Sequence, residues 1–418
     1  MSSSLAYKPV GLLMCQANPF LKSFTSKVVS CLPCESEKDL FEVVLEDTIL
    51  FPEGGGQPYD LGLIDNQPVS KVLRKGLTPI HYLGSPIQVG KSVDISLDFK
   101  RRFDYMQQHS GQHLISAILE NEYKLDTVSW ELGKLTSFIE LQPVEGIKLT
   151  DEIVSQVEQK CNDAIINCTP VSVVTSDMSE IERPESLPDD YDGGVIRHIV
   201  IDGIDNNPCC GTHVTNLSYL QSIKLCQPET GRKGTIRLPF LVGLRVLEYL
   251  DKSLKVEKQL NNLLSTSQDD FSEAVDRLIK QRKEANKVSK NLFQEISEYV
   301  AKSMFTELST TSKNIVTLHR EDAPLDFIFS IFKTVLPLLE KLPTQNNNSE
   351  PKAVVVSAGP IKTGGPIIVF GTPDLVSKIS SHLLKDIPEL KGGGKGSKWQ
   401  GKSSSWSKLS KSISSLPQ

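Results

Sequence analysis

The sequence predicts an α+β protein, because strand and helix patterns follow one another without strict alternation. Residues 92–98 alternate polar and apolar side chains, which is the period of a half-buried strand. Residues 114–119 instead carry apolar side chains at helical spacing. Helices and strands mixed in this irregular order favour an α+β architecture.

Composition narrows the class of protein. The chain has 418 residues, 39% of them apolar and 23% charged, as in an ordinary globular protein of roughly three domains. No apolar run approaches the roughly 20 residues of a membrane span, and the N-terminus lacks a signal-peptide pattern. Eight cysteines in such a chain indicate reduced thiols or metal ligands. We therefore expect a cytoplasmic protein without a membrane partner.

The chain is expected to contain four segments. Residues 1–100 read as short strands with turns and predict a small β-barrel. Residues 101–250 predict an α+β domain that carries the candidate site. Residues 251–310 predict a helical hairpin that links two domains, with a dimeric coiled coil as the alternative. Residues 311–418 predict an α/β domain that ends in a basic Gly/Lys tail.

Individual elements follow from periodicity and from turn residues. In the second segment, helices are expected at 104–121 and 149–164, and strands at 136–141, 171–174 and 196–201. Residues 265–270 interrupt the helical region and offer Ser267 to begin a second helix. In the last segment, strands are expected at 315–318, 353–356 and 367–370, and helices at 327–342 and 374–384.

Two motifs carry candidate metal ligands. His109 and His113 lie four residues apart, on one face of the predicted helix. About 100 residues later, the run Cys209-Cys210-Gly-Thr-His213 offers a second pair. Two histidines at this spacing are often unrelated, but three of the seven histidines fall in these two motifs. Three imidazoles and one thiolate form a tetrahedral set of the kind that zinc prefers.

Other cysteine and glycine motifs are less specific. Cys31 and Cys34 form a C-x2-C pair without a partner pair, so we interpret them as incidental. The glycines at 54–56, followed by Gln57, allow a tight loop and a close backbone approach to a ligand. This loop is not a nucleotide-binding P-loop, because no G-K-[ST] follows it.

The histidine motif does not fit a zinc protease. Such enzymes need a glutamate directly after the first histidine or directly before the second. Those places hold Ser110 and Gln112 here, and an amide does not accept a proton at neutral pH. The motif therefore suits a reaction that is easier than peptide hydrolysis, such as hydrolysis of an activated ester.

Taken together, the H-S-G-Q-H, C-C-G-T-H and F-P-E-G-G-G-Q-P motifs resemble the editing domain of alanyl-tRNA synthetase. More closely, they resemble the free-standing alanyl-tRNA editing proteins of the AlaX family in their long form. The resemblance covers residues 1 to about 250 well and the remainder more loosely. It implies one zinc ion, bound by His109, His113, Cys209 and His213. Cys210 stands where the family usually has glycine, but the C-x3-H spacing selects Cys209.

The resemblance implies hydrolysis of tRNA(Ala) mischarged with serine, with Gly-tRNA(Ala) as a second substrate. Such editing removes errors that a synthetase pocket cannot reject. The aminoacylation domain of alanyl-tRNA synthetase has no counterpart here, so no ATP is expected. The zinc could orient the substrate while Gln57, Gln112 or a ribose hydroxyl places the water, or it could polarise the ester. The alternative function is a non-catalytic, zinc-stabilised binding module or chaperone cofactor.

Discrimination against alanine requires a polar group, because alanine is smaller than serine. A hydroxyl near the glycine loop would be left unpaired when alanine enters. Thr48 lies just before this loop and resembles the residue of the family that recognises serine. We therefore expect Thr48→Val to lower kcat/KM for Ser-tRNA(Ala). The alternative interpretation is that Thr48 is an ordinary strand residue, because β-branched residues are common in strands.

The C-terminal residues are expected to bind tRNA. Residues 391–418 contain six lysines and no acidic residue. The stretch 391–399 mixes lysine, flexible glycine and tryptophan, which suits a segment that clamps a phosphate backbone. Residues 403–418 predict a solvated tail. Truncation after Leu390 is expected to weaken tRNA binding and to spare hydrolysis.

Overall fold

The computed structural model describes residues 7–142, 149–177, 195–231, 234–341 and 350–417. These residues divide into two compact units, Met1–Gln259 and Leu260–Gln418. Both units combine helices with sheets, so the predicted α+β class is confirmed. Among the described residues, no helix is both long enough and apolar enough to cross a membrane.

The first unit begins with a closed six-stranded barrel, as predicted. A short helix precedes the strands: α1 (Met14–Ala17), β1 (Ser23–Pro33), β2 (Phe41–Leu45), β3 (Gly62–Ile64), β4 (Gln67–Lys75), β5 (Thr78–Leu83) and β6 (Ser92–Leu97). Their order around the barrel is β1-β2-β5-β4-β3-β6. Inward-facing residues such as Val43, Ile64 and Ile95 are buried in one apolar cluster, which holds the barrel closed.

The rest of the first unit surrounds one long helix. Its elements are α2 (Phe99–Tyr123), β7 (Thr127–Glu131), β8 (Ser137–Leu141), α3 (Asp151–Ile166), β9 (Val171–Asp177), β10 (Val195–Ile201), β11 (Asp205–Pro208), β12 (Ile223–Leu225), β13 (Glu229–Thr230) and β14 (Ile236–Val242). Helix α4 (Leu244–Leu264) follows and includes the boundary between Gln259 and Leu260. Helix α2 begins earlier than predicted because the Asp98 side chain accepts the Arg101 N–H. Gly111 permits close packing, since a Cβ there would lie 2.6 Å from Val242 Cγ2.

Two sheets pack beside helix α2. One has the order β11-β10-β9, and the other has the order β12-β14-β8-β7, with β13 paired to β14. The apolar face of α2, including Leu114, Ile115 and Leu119, is buried in the core that these sheets share with α3. This packing fixes the direction in which the opposite, histidine-bearing face points.

A buried ion pair ties helix α2 to the barrel. The side chains of Arg102 and Asp60 are both 0% exposed and form a salt bridge. Arg102 Nε donates to Asp60 Oδ2 at 2.9 Å, and its Nη2 donates to the Ile49 carbonyl at 2.6 Å. Asp60 also accepts the Phe51 N–H at 2.7 Å, which holds the entrance of the glycine loop. Removal of one partner from such a pair typically costs about 3–5 kcal/mol.

The second unit is a five-stranded sheet covered by helices on both faces. Its elements are α5 (Phe271–Thr310), β15 (Ile315–Arg320), α6 (Leu325–Glu340), β16 (Ala353–Ala358), β17 (Gly365–Gly371), α7 (Pro373–Asp386), β18 (Leu390–Lys395), β19 (Lys398–Ser403) and α8 (Leu409–Ser414). The strand order is β15-β16-β17-β19-β18, with only β15 and β16 parallel. The break between α4 and α5 falls at 265–270, as predicted, and the hairpin arrangement of these helices stays a prediction.

The prediction of a solvated tail at residues 403–418 was wrong, and the glycine-rich stretch before it forms strands. Strands β18 and β19 form an antiparallel hairpin within the sheet. After it, Trp406 and Leu409 are each 2% exposed. Glycines that look like a linker in the sequence instead make room for a ring, because a Cβ at Gly392 would lie 2.6 Å from Trp399 Cζ2. Truncation after Leu390 would therefore remove two strands and could not test tRNA affinity alone.

Candidate metal centre

Four side chains from two distant segments meet in the first unit. Helix α2 supplies His109 and His113 from one face, and the segment after β11 supplies Cys209 and His213. Their ligand atoms all lie within 4.8 Å of one another. The sequence motifs had selected these same four residues, so the fold brings together the complete predicted set.

The two distances from Cys209 to histidines of this group are close to those around a tetrahedral ion. Cys209 Sγ lies 3.4 Å from His109 Nε2 and 3.2 Å from His213 Nε2. Typical zinc–nitrogen and zinc–sulfur bonds in a tetrahedron separate the ligand atoms by roughly 3.3–3.6 Å. The other pairs of ligand atoms lie within 4.8 Å, so the remaining side chains would move inward to close around one ion.

Cys210 lies outside this group. Its side chain packs against an apolar cluster that includes Val10, Leu13 and Phe51. Its carbonyl accepts the Gln16 Nε2 amide at 2.7 Å. The cysteine that the C-x3-H spacing selects is thus the one that the fold places beside the histidines.

A glycine allows the cysteine segment to approach helix α2. A Cβ at Gly211 would lie 2.3 Å from His109 Cε1, so any larger residue would push the two segments apart. The buried Arg197 holds the segment from the other side, because its Nη1 donates to the carbonyls of Cys209 and Gly211 at 3.3 and 2.9 Å. Both residues position ligands without belonging to the ligand group.

Gln57 connects the glycine loop to both ligand motifs. Its Oε1 accepts from His109 Nδ1 at 3.1 Å and from the Thr212 N–H at 3.0 Å. Its Nε2 donates to Thr212 Oγ1 at 2.8 Å, and the residue is 0% exposed. An amide oxygen only accepts hydrogen bonds, so His109 carries its proton on Nδ1 and presents the lone pair of Nε2 to the group.

Burial and neighbouring charges shift the pKa values of three members of the group in different directions. Burial acts to raise the pKa of the Cys209 thiol, but the three neighbouring imidazoles hold that pKa well below its usual value. Burial lowers the pKa of His213 to about 3, so this ring is neutral at pH 7. Burial also acts to lower the pKa of His113, but the Cys209 thiolate and the Asp205 carboxylate raise it to about 9. A metal ion that binds here would therefore have to displace the proton of His113.

The metal-ligand group forms one wall of a cavity of about 230 Å³. The opposite walls come from the glycine loop, the N-terminal segment and strand β4, and the lining includes Val10, Phe51, Pro52, Glu53, Gly54, Gly55, Arg74, His109, Gln112, His113, Trp130, Pro208, Cys209 and Cys210. The Trp130 ring stacks on His109 with centroids 4.8 Å apart. Gln112 faces this space, whereas Gln57 lies behind His109. A small ligand in the cavity would touch both the loop and the metal-ligand group.

Thr48 lies away from the described cavity lining. Its Oγ1 is 2.9 Å from His81 Nε2 and accepts the Leu50 N–H at 3.0 Å. His81 Nδ1 lies 3.1 Å from the Val43 carbonyl and so carries the ring proton, while burial lowers the His81 pKa to about 4. The Thr48 hydroxyl therefore donates to a neutral His81 and braces the turn that leads into the loop.

Sequence reasoning missed several residues that complete the site. Trp130 contacts His109 and the loop, since a Cβ at Gly56 would lie 2.6 Å from Trp130 Nε1. Ser110 Oγ lies 3.1 Å from His213 Nδ1 and accepts the Val214 N–H. Ser110 stands inside a recognised motif and could have been found there. Trp130 carries no local signal, because its role depends on how the sheets pack.

Comparison with known proteins identifies the family. No protein-family model matches the chain. The alanyl-tRNA editing protein Aarsd1 of Mus musculus is 38% identical over 409 residues, which cover 94% of this chain and 95% of that protein. The chain belongs to the AlaX family of alanyl-tRNA editing proteins. A putative alanyl-tRNA editing protein alaX of Saccharomyces cerevisiae is 34% identical over 434 residues, or 94% and 93% of the two chains.

The AlaX resemblance extends to an archaeal relative of the long form. The alanyl-tRNA editing protein AlaX-L of Pyrococcus horikoshii is 28% identical over 318 residues, which cover 73% of this chain and 76% of that protein. The mouse and yeast AlaX relatives match nearly the full chain, so the likeness includes the second unit as well as the motif-bearing one. The family resemblance seen in the three motifs is therefore confirmed.

The placement of the two cysteines predicts different effects of their loss. We expect Cys209→Ser to abolish tight binding of a metal ion, because it removes the only thiolate of the group. The matched control, Cys210→Ser, should keep one ion per chain, because this side chain packs in the apolar cluster. The metal content per chain of each variant, measured after gel filtration, checks both expectations. Loss of the ion from Cys210→Ser with retention in Cys209→Ser would contradict the assignment.

Proposed function

We propose that this AlaX protein hydrolyses the ester bond of tRNA(Ala) mischarged with serine, and of Gly-tRNA(Ala) as a second substrate, in the cytoplasm. The observation that carries the proposal is the cavity in which the metal-ligand group faces the glycine loop. A narrow cavity with metal-type ligands on one wall and open backbone on the other suits the aminoacylated end of a tRNA. The names of the mouse and yeast relatives support tRNA editing.

We infer that the ion is zinc, one per chain, bound by His109, His113, Cys209 and His213. Three nitrogens and one sulfur as ligand atoms match the preference of zinc over harder ions such as magnesium. When bound, the ion supplies a fixed positive charge that can orient the ester end of the substrate.

The side chains around the cavity then have separate tasks. Gln57 fixes the His109 ring and couples it to the glycine loop, so it is a positioning residue. Gln112 lines the cavity, and its Nε2 donates to Ser116 Oγ at 3.0 Å, which fixes the direction of the amide. We assign Gln112 the placing of the attacking water, because an amide oxygen can accept a hydrogen bond from water although it cannot remove the proton.

A non-catalytic binding module is the second candidate. The observation that favours it is the ligand count, because four protein ligands fill a tetrahedral site and such closed sites are usually structural. The two candidates make opposite predictions for turnover. The cavity beside the group supports the enzyme, because a purely structural centre needs no adjacent space of this kind.

Deacylation of Ser-tRNA(Ala) tests the proposed function directly. Zinc-loaded protein should release serine from Ser-tRNA(Ala) faster than buffer does and should spare Ala-tRNA(Ala). Removal of the ion with a chelator should lower the rate, and added zinc should restore it. A folded, zinc-loaded protein that releases no serine would favour the binding module.

Substitution of Thr48 tests how the serine of the substrate is recognised. Its hydroxyl already donates to His81 and accepts the Leu50 N–H, so we propose that it acts by positioning the loop entrance. Thr48→Val should then lower kcat/KM for Ser-tRNA(Ala) and Gly-tRNA(Ala) alike. The loss should correspond to about 1–3 kcal/mol of activation free energy. Thr25→Val, at an exposed strand position, is the matched control. A loss confined to the serine substrate would instead show that Thr48 contacts the serine hydroxyl.

The second unit offers a surface for the tRNA backbone. Lys391 pairs across the β18–β19 hairpin with Lys402, and Lys395 pairs with Lys398. Like charges directly opposite in a sheet are unfavourable, and a polyanion would relieve that repulsion. Lys391 and Lys402 also line a cavity of about 550 Å³ that includes Phe329. We propose that this basic hairpin contributes affinity for tRNA and not chemistry.

Charge removal tests the basic hairpin without removing strands. The double variant Lys391→Gln/Lys402→Gln should bind tRNA more weakly, with the slope of log affinity against log salt reduced by roughly 1.5. Hydrolysis at saturating substrate should persist. Lys408→Gln/Lys411→Gln, which neutralises two exposed lysines beyond the hairpin, is the control. Equal salt slopes in the parent and in the hairpin variant would contradict the proposal.

A further inference from the structure

The three histidines of the metal-ligand group differ in what holds the ring nitrogen opposite the group. His109 Nδ1 faces the Gln57 amide oxygen at 3.1 Å, and His213 Nδ1 faces the Ser110 hydroxyl at 3.1 Å. His113 Nδ1 instead lies 3.6 Å from the Asp205 carboxylate. Two partners are therefore neutral, and one is an anion.

Asp205 is buried and incompletely bonded. Its side chain is 8% exposed, and Oδ1 accepts from Asn207 Nδ2 at 2.5 Å. Oδ2 is buried and has no hydrogen-bond partner among the described residues. A buried carboxylate oxygen without a donor is costly, and His113 Nδ1 lies within a small side-chain rotation of it.

The backbone holds Asp205 in register with the ligand segment. Asp205 begins strand β11, opposite Ile201 of strand β10, and Cys209 follows the last residue of the same strand. The Cys209 N–H donates to the Arg197 carbonyl at 2.8 Å, which continues the hairpin up to the thiol ligand. One rigid hairpin thus carries both a ligand and the partner of another ligand.

We infer that Asp205 is a positioning residue that accepts the Nδ1–H of His113 and directs the Nε2 lone pair of that ring toward the ion. A carboxylate in this place fixes the tautomer and the ring orientation and makes the imidazole a stronger donor. His113 is consequently the histidine whose binding depends on a charged partner. The inference rests on the proposed metal site but not on the proposed substrate.

Competition for zinc between the full-length protein and a chromogenic chelator tests the role of Asp205. Asp205→Ala should weaken zinc binding by roughly 10–100-fold. Asp205→Asn should lose less, because the amide oxygen can still accept the Nδ1–H. Asp202→Asn, which changes an exposed aspartate in the turn before β11, should bind zinc as the parent does. Unchanged affinity in Asp205→Ala would overturn the inference.

Two further readouts separate positioning from a merely structural role. The metal-free Asp205→Asn variant should unfold at the same denaturant concentration as the metal-free parent. Its cobalt-substituted form should show shifted visible absorption bands, because the ring orientation at the ion changes. If zinc affinity falls only in step with the stability of the metal-free protein, and the cobalt spectrum matches that of the parent, Asp205 merely supports the hairpin and the inference fails.

Discussion

One buried amide side chain joins the three sequence motifs on which the site depends. Gln57 belongs to the glycine loop, accepts from His109 of the helix motif, and bonds twice to Thr212 of the cysteine motif. Because the residue is fully buried, each of these bonds is shielded from competition with water. The barrel, helix α2 and the cysteine segment can therefore form the metal-ligand group only in the arrangement that satisfies this amide.

The surrounding packing supports that arrangement from two directions. The Arg102–Asp60 ion pair fixes helix α2 to the barrel near the entrance of the glycine loop. Arg197 fixes the cysteine segment through its backbone carbonyls. Small residues then decide how close the segments come, since Gly211 lies against His109 and Gly111 lies against Val242. The ligand side of the site is consequently held by buried side chains on both segments.

The sequence predicted what is encoded locally. A period-two pattern located the last barrel strand, and the i, i+4 histidines placed two candidate ligands on one helix face. Motif spacing also distinguished Cys209 from Cys210, whose side chain turns to the apolar cluster around Phe51. These features depend on neighbours in the chain, so a single sequence contains the information.

Features that depend on long-range packing were not predictable. Trp130 reaches His109 only because the β7–β8 hairpin packs beside helix α2, and Asp205 faces His113 only through the β10–β11 register. The C-terminal glycines resembled a flexible linker, yet they accommodate the ring of Trp399 within a sheet. Likewise, the position of Thr48 near the loop in the sequence gave no indication that its hydroxyl would form a hydrogen bond with His81.

X-ray absorption at the zinc edge tests the metal centre most directly, because it reports which atoms surround the ion. The proposed zinc site predicts three nitrogen ligands at about 2.0–2.1 Å and one sulfur ligand at about 2.3 Å. A shell with two sulfur ligands, or one made of oxygen atoms alone, would contradict the assignment of His109, His113, Cys209 and His213.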